Sequence, residues 1–206
     1  FEPAYKDYLA QVTDWVKKGY VEKGLKPVYW CASCETALAE AEIEYKDIDS
    51  NTAYVKFPVV DGKGLVKRDD TYVVIWTTTP WTLPGNTMIA VGEDIDYTVV
   101  RVGTERLIFA KELVESVMQK AGITEYETEE EFKGKALAGV VCKHPFLDRE
   151  SRVVLGSDDT IAVELGTGTG AVHTAPGYGK EDYLCGLKNN LDIIVTVDSK
   201  GVQRGE

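Results

Sequence analysis

The chain reads as an α+β protein organised around a barrel-like sheet. Apolar residues recur with period two in many short runs from about residue 41 onward, a few segments carry helical periodicity instead, and turn residues punctuate the runs. With 206 residues it can bury one core, or one domain plus a short appendage.

At the N-terminus Tyr5, Tyr8, Leu9, Val12, Trp15 and Val16 follow i, i+3, i+4, i+7 spacing, which predicts an amphipathic helix over 3–20 ending near Gly19. Its apolar face is expected to pack against something outside this chain. Ala53, Val55, Phe57 and Val59 line one face of a strand, and Thr71-Tyr-Val-Val-Ile-Trp76 reads as a buried one. Residues 97–102 and 106–110 form a hairpin around Gly103-Thr104. A helix spans 111–121, with Leu113, Val114, Val117 and Met118 inward and Gly122 as its stop. Further strands are expected over 140–142, 152–155, 160–165 and 192–197, and a helix from Glu181 to Leu187. Residues 1–45 (the first helix and a Cys-x-x-Cys knuckle) read as a flanking segment, and 46–206 as the domain proper.

Composition excludes several classes. Hydrophobic residues make up 44% and charged residues 28%, with no apolar run of membrane-spanning length. Phe1-Glu-Pro-Ala-Tyr5 is not a signal peptide, and four cysteines make no secreted disulfide framework, so a cytoplasmic protein is expected. The net charge of −11 opposes a free-standing nucleic-acid binder, because phosphate neutralisation dominates such affinity. Lys67, Arg68, Lys111, Lys180 and Lys188 are either a local basic rim or an ordinary solvated surface. No Gly-x-Ser-x-Gly elbow accompanies a histidine, which argues against a Ser-His-Asp hydrolase; His144 sits in a Pro-flanked turn.

Two segments carry candidate chemistry. Trp76 to Asn86 read WTTTPWTLPGN, where Thr77, Thr78 and Thr79 end a strand and Pro80, Pro84 and Gly85 force a compact turn. Such hydroxyls both donate and accept hydrogen bonds, which suits a ribose, a water or an ester oxygen; a β-propensity run capped by a turn reads the same way. Gly166 to Tyr183 read GTGTGAVHTAPGYGKEDY, where glycines leave little bulk around His173 before Asp182 enters a helix. A satisfied core histidine and an acid favoured at a helix start are the plain alternatives. Cys31-Ala-Ser-Cys34 has zinc-knuckle spacing, but tetrahedral zinc needs four ligands, and the isolated Cys142 and Cys185 read as small buried hydrophobes.

Together WTTTPWTLPGN and GTGAVHTAPGYGKEDY resemble the two signature stretches of the editing domain of isoleucyl-tRNA synthetases, the connective-peptide insertion of class I synthetases for branched aliphatic amino acids. Lys26-Pro-Val-Tyr-Trp-Cys-Ala-Ser-Cys34, the run from Glu35 to Tyr45 and His144-Pro-Phe-Leu-Asp-Arg-Glu150 are further matches to the bacterial type, in the right order. The chain has neither the lysine and Pro-Ala-His-Asp tetrad of valyl enzymes nor the Arg-Pro-Asp motif of leucyl enzymes. It departs from the isoleucyl pattern at Tyr178, where histidine is common.

The resemblance implies a β-barrel decorated by peripheral helices and an aminoacyl-tRNA ester hydrolase that removes valine from mischarged isoleucine tRNA by direct water attack. It implies that Thr77, Thr78 and Thr79 grip the terminal adenosine and orient water, that Asp182 binds the α-ammonium, and that Asn86 holds the loop or nucleotide. His173 would wall the side-chain pocket as its size gate and hydrogen-bond the ribose, with Trp76 and Trp81 shaping that wall or packing in the core. The partners implied are the 3′ end of aminoacylated isoleucine tRNA and the rest of a parent synthetase, with no membrane. No cofactor is implied for editing. ATP belongs to the parent alone, since His-x-Gly-His and Lys-x-Ser-Lys-Ser motifs are absent. Cys31 and Cys34 would be half of a zinc site completed beyond Glu206. A valyl-type domain clearing threonine and a non-catalytic module for the tRNA 3′ end are the rival readings.

Overall fold

The computed structural model describes residues 2–66 and 69–204. Helix α1 (Glu2–Lys17) comes first, then a two-stranded ribbon of β1 (Trp30–Cys31) and β2 (Thr36–Ala37). The domain proper follows as β3 (Ala53–Asp61), β4 (Thr71–Thr77), β5 (Met88–Gly92), β6 (Asp96–Val102), β7 (Glu105–Ala110), α2 (Val114–Ala121), β8 (Glu127–Lys133), β9 (Val141–Lys143), β10 (Glu150–Gly156), β11 (Ala171–Thr174) and α3 (Lys180–Lys188). Strands β3 to β11 form one nine-stranded sheet in the order β11-β5-β10-β9-β3-β4-β7-β6-β8. The β5–β10 and β4–β7 pairs are parallel, and the other pairs are antiparallel.

The α+β class holds, and the sheet is barrel-like in its curl without being a closed barrel. Edge strands β11 and β8 do not pair, but the sheet bends until β11 lies against β4. The loop before β11 completes the approach. Ala110 N–H donates to Thr169 O at 2.8 Å, and Gly170, at φ +73°, passes so close that an added Cβ would lie 2.5 Å from that of Ala110. Only glycine fits there. Inside the curl Phe57, Ile75, Ile89, Tyr97, Ile108 and Phe109 are fully buried. Both faces of β5 are covered, since Met88 and Ala90 join a smaller cluster with Val154, Ile161 and Cys185. Its apolar run therefore shows no alternation.

Most elements fall where the periodicity puts them. Gly122 closes α2 in the left-handed conformation at φ +68°, and Cys142 and Cys185 are fully buried. Two expected strands do not form. Residues 160–165 leave the sheet because Thr160 is tied into a turn with Ser157 (Oγ–Oγ1 2.9 Å). Ile161 turns into the smaller cluster while Ala162 and Glu164 face a cleft, so this alternation reflects two environments and not a ladder. Residues 192–197 likewise make only a single bridge, Val197 to Gln203. Strands β5, β8 and β11 have no counterpart in the sequence reading. Strand β8 is an almost wholly exposed acidic edge, held by its ladder to β6 and by Arg101–Glu129 (3.0 Å), Arg106–Glu129 (2.9 Å) and Lys111–Glu131 (2.7 Å) pairs. Exposed pairs of this kind add little each.

No described residue before Phe57 is buried, and Tyr5, Tyr8, Leu9, Trp15 and Val16 on the apolar face of α1 are exposed. Among the described residues no helix is long and apolar enough to cross a membrane.

One buried hydroxyl ties the curl together. Tyr97 OH accepts from Gly92 N–H (3.0 Å) and donates to Gly170 O. Burial pushes this phenol up to about 12, so it stays protonated as a donor. Tyr97→Phe strands both backbone groups, and urea unfolding is expected to show a loss of about 1–3 kcal/mol; an unchanged midpoint would mean the hydroxyl is dispensable.

Candidate functional site

Strand β4 delivers the threonine ledge. Thr77, its last residue, is buried, and its Oγ1 accepts Thr79 N–H at 3.1 Å, which turns the chain out of the sheet. Pro80 then opens a 3-10 turn over Pro80–Gly85, its fixed φ suiting the first position. His144 and Arg149 hold that turn from behind. His144 Nδ1 accepts Leu147 N–H at 3.1 Å, so the proton sits on Nε2, which donates to Leu83 O at 2.8 Å. Arg149 donates to Pro84 O, and Phe57 and Phe146 meet the His144 ring edge-on. The His144–Glu150 segment is thus the buttress of the turn.

Strand β11 brings His173 opposite Ile89 of β5. Its tautomer follows from its partners. Thr82 Oγ1 donates to Thr79 O (2.8 Å), so toward His173 it accepts, and Nε2 carries the proton across that 2.9 Å contact. Nδ1 is then the acceptor for Asn86 Nδ2 at 2.8 Å. Asn86, fully buried, also donates to Met88 O (2.8 Å). Burial, with neighbouring His144 adding to it, lowers His173 to about 4. This histidine is neutral, and both ring nitrogens are engaged.

Helix α3 starts after Gly179, and Asp182 lies in its first turn. The carboxylate folds back over the preceding loop. Oδ1 accepts Ala175 N–H at 2.8 Å, and Oδ2 passes where a Cβ on Gly179 would lie, 2.3 Å away. Burial raises the Asp182 carboxyl above its ordinary value, the Ala175 N–H offsetting part of that.

These residues share one cleft of ≈ 360 Å³: Thr77, Thr78, Thr79, His173, Tyr178 and Asp182 all line it. So does Trp76, whose indole packs under Gly168. Glu164 is a second acid in the lining, and no lysine or arginine is among the described lining residues. Asn86 sits behind the wall, holding the loop and His173. Trp81 corrects the expectation that it shapes the wall or packs in the core. The residue is 54% exposed and does not line the cleft, while its carbonyl accepts from Gln203 Nε2 (2.7 Å). Thr82, which shares the turn and fixes His173, is the residue sequence reasoning missed.

Of the candidate basic rim, Lys111, Lys180 and Lys188 do not line the cleft. Lys111 pairs with Glu131, and Lys188 donates to Ser157 Oγ at 3.1 Å. Lys67 and Arg68 lie outside the described residues. At the knuckle, Cys34 N–H donates to Cys31 Sγ (3.3 Å), and the backbone of Cys34 lowers the Cys31 thiol while Cys31 raises that of Cys34. Among the described residues no group of three or more His, Cys, Asp or Glu could hold a metal ion.

With this geometry in place, comparison with known proteins fixes the class. Residues 2–175 match the family of class I tRNA synthetases (I, L, M and V), and the chain belongs to that family. Within it the chain is similar to isoleucine–tRNA ligases. It is 55% identical over 193 residues to that of Caldicellulosiruptor saccharolyticus, covering 91% of this chain and 20% of the relative. It is 50% identical over 201 residues to that of Moorella thermoacetica, covering 97% and 21%. The chain therefore spans about a fifth of the length of these relatives. Among solved structures, its fold is similar to the cytosolic leucyl-tRNA synthetase editing domain of P. falciparum (TM-score 0.54, 10% identity, 75% of this chain and 73% of that one). The P. knowlesi domain is also similar (TM-score 0.52, 12% identity, 68% and 63%).

A neutral, doubly bonded His173 has a titration consequence. Because its folded value lies near 4 against an ordinary 6.5, its contribution to stability is complete above 6.5 and is lost as pH falls toward 4. NMR is expected to show the Nε2–H tautomer unchanged down to about pH 5; a ring titrating at its ordinary value would break the assignment.

Proposed function

We propose that the cleft is the editing site of an isoleucine–tRNA ligase, hydrolysing the ester that joins misattached valine to the terminal ribose of isoleucine tRNA. The observation that carries this reading is the meeting of the Thr77–Thr79 ledge, His173 and Asp182 in one cleft, from segments far apart in sequence. The absence of lysine and arginine from its described lining suits a site that takes an aminoacyl ribose and leaves the phosphate backbone outside. A cytoplasmic setting goes with that substrate. Residues 1–45 are the proposed flank and 46–206 the editing domain, supported by the lack of burial among the described residues before Phe57.

The need for such a site is energetic. A synthetic pocket sized for isoleucine cannot strongly reject a side chain one methylene smaller, a difference of about 1–3 kcal/mol for which isoleucyl enzymes are themselves the standing example. A second, smaller pocket restores accuracy. Asp182 is placed to receive the α-ammonium, whose charge favours the ionised carboxylate that burial alone disfavours. Oδ1 is already anchored by Ala175 N–H, so the group is oriented before substrate arrives. The threonine hydroxyls orient a water that attacks the acyl carbonyl; the ester C–O bond breaks, and the ribose hydroxyl leaves with a proton. His173 offers no free lone pair for base catalysis and acts as a wall and size gate.

The CxxC turn fits half of a zinc site, with Cys34 N–H donating to the Cys31 sulfur across one tight turn. The other two ligands are proposed to come from elsewhere in the synthetase, and editing draws nothing from the metal.

Deacylation of valyl-, isoleucyl- and threonyl-tRNA by this chain tests the reading. Valyl ester is expected to be cleaved and isoleucyl ester spared, and Asp182→Ala is expected to abolish cleavage with the fold intact. Cleavage of threonyl ester alone would favour the valyl-type reading, and three intact esters a binding module. Metal analysis is expected to find well below one zinc per chain; one zinc per chain would show that the knuckle closes its own site.

A further inference from the structure

The two loops that face each other across the cleft are joined behind it by a segment that lines no part of it. From Thr196 to Gln203 the chain turns back on itself, with Asp198 accepting the N–H groups of Lys200 (2.9 Å) and Val202 (3.0 Å) and Arg204 N–H donating to Thr196 O (2.7 Å). The outer end of this hairpin rests on the knuckle, where Trp30 Nε1–H donates to Ser199 O (2.7 Å) and Ser199 donates to Glu35.

Its inner end reaches both signature loops by a directed relay. Gln203 Nε2 donates to Trp81 O (2.7 Å), inside the Pro80–Gly85 turn. Gln203 Oε1 accepts from Thr196 Oγ1 (2.8 Å). With its proton so used, Thr196 Oγ1 accepts from Tyr178 OH, while Thr196 N–H donates back to that oxygen at 2.9 Å. The Tyr178 ring lies on Gly85, where an added Cβ would meet it at 2.3 Å. One buried threonine thus connects the turn carrying Thr79 and Thr82 with the loop carrying Tyr178.

We propose that Thr196 is a positioning residue for the editing cleft. Through Tyr178 on one side and Gln203 on the other, it holds the two loops at the separation that sets the size cut-off. The proposal rests on the functional reading above. It also gives Tyr178 a task that needs a phenol: the ring covers Gly85 and the hydroxyl reaches the strap.

The test compares Thr196→Val, which keeps shape but loses the hydroxyl, with Thr196→Ser, which restores it. For the valyl ester, kcat is expected to fall about three- to tenfold in the valine variant, in keeping with the loss of hydrogen bonds of ordinary strength, with KM for the tRNA unmoved. The preference for valyl over isoleucyl ester should fall too, and the serine variant should recover both. Unchanged kcat and preference in Thr196→Val would overturn the proposal. Should that variant fail to fold, the exposed Gln203→Leu tests the same relay from its other end, under the same expectations. Amide hydrogen exchange supplies a readout independent of the reaction. Thr82 and Asn86 N–H should exchange faster in Thr196→Val while sheet amides do not, and equal protection would sink the strap. Faster exchange in Thr196→Val, when the unsubstituted chain itself leaves valyl ester intact, would overturn the functional reading alone.

Discussion

The site depends on a chain of hydrogen bonds running from Thr79 O through the Thr82 hydroxyl and the His173 ring to the Asn86 amide. Each link fixes the direction of the next, so a single tautomer satisfies all of them. The energetic weight comes from burial, because a polar group left unpaired in such a place is expensive. This chain ties the threonine turn to β11 and leaves the ledge hydroxyls facing the cleft. Remove its middle, and the turn and the strand lose their common register. The buttress of His144 and Arg149 steadies the same turn from the opposite side, which explains why a segment with no place in the cleft belongs to the motif set.

Much of this was legible in the sequence, and the failures have physical reasons. Period-two alternation marked β3, whose first half buries one face, whereas β4 showed as an apolar run and β6–β7 as a hairpin around Gly103-Thr104, both with continuous rather than alternating burial. Strand β8 was invisible because an acidic edge buries almost nothing. Strand β11 was masked by the glycines before it, of which Gly170 allows the close approach to β7 and Gly168 lies against Trp76 of β4. Residues 160–165 imitated a strand because they lie between the cleft and the smaller cluster. At the site, residue types announced Thr77 to Thr79, His173 and Asp182, whereas the Thr82–His173 contact joins positions 91 apart and leaves no local trace. Trp81 misled by its place in the motif. With three residues per turn in a 3-10 helix, neighbours diverge by a third of a circle, so Thr82 faces His173 while Trp81 faces outward.

Charge ties the cleft to its context. A chain of net charge −11 is poorly suited to hold tRNA by its backbone. The cleft itself presents Asp182 and Glu164 without a basic neighbour among the described lining residues. Such a surface discriminates for cationic groups and against polyanions. Affinity for the bulk of a tRNA is therefore a property to look for in the other four-fifths of the related ligases' length.

The pairing of β11 with β5 carries a kinetic consequence. His173 lies opposite Ile89, so this contact closes a very long loop, and loop-closure entropy delays such contacts relative to local hairpins such as β6–β7. The β6–β7 hairpin can zip early, whereas the cleft acquires its second wall only when β11 docks. A nascent or partly refolded chain would then carry the threonine turn without the histidine and aspartate that face it. The complete cleft in this architecture arrives late, as a marker of finished assembly.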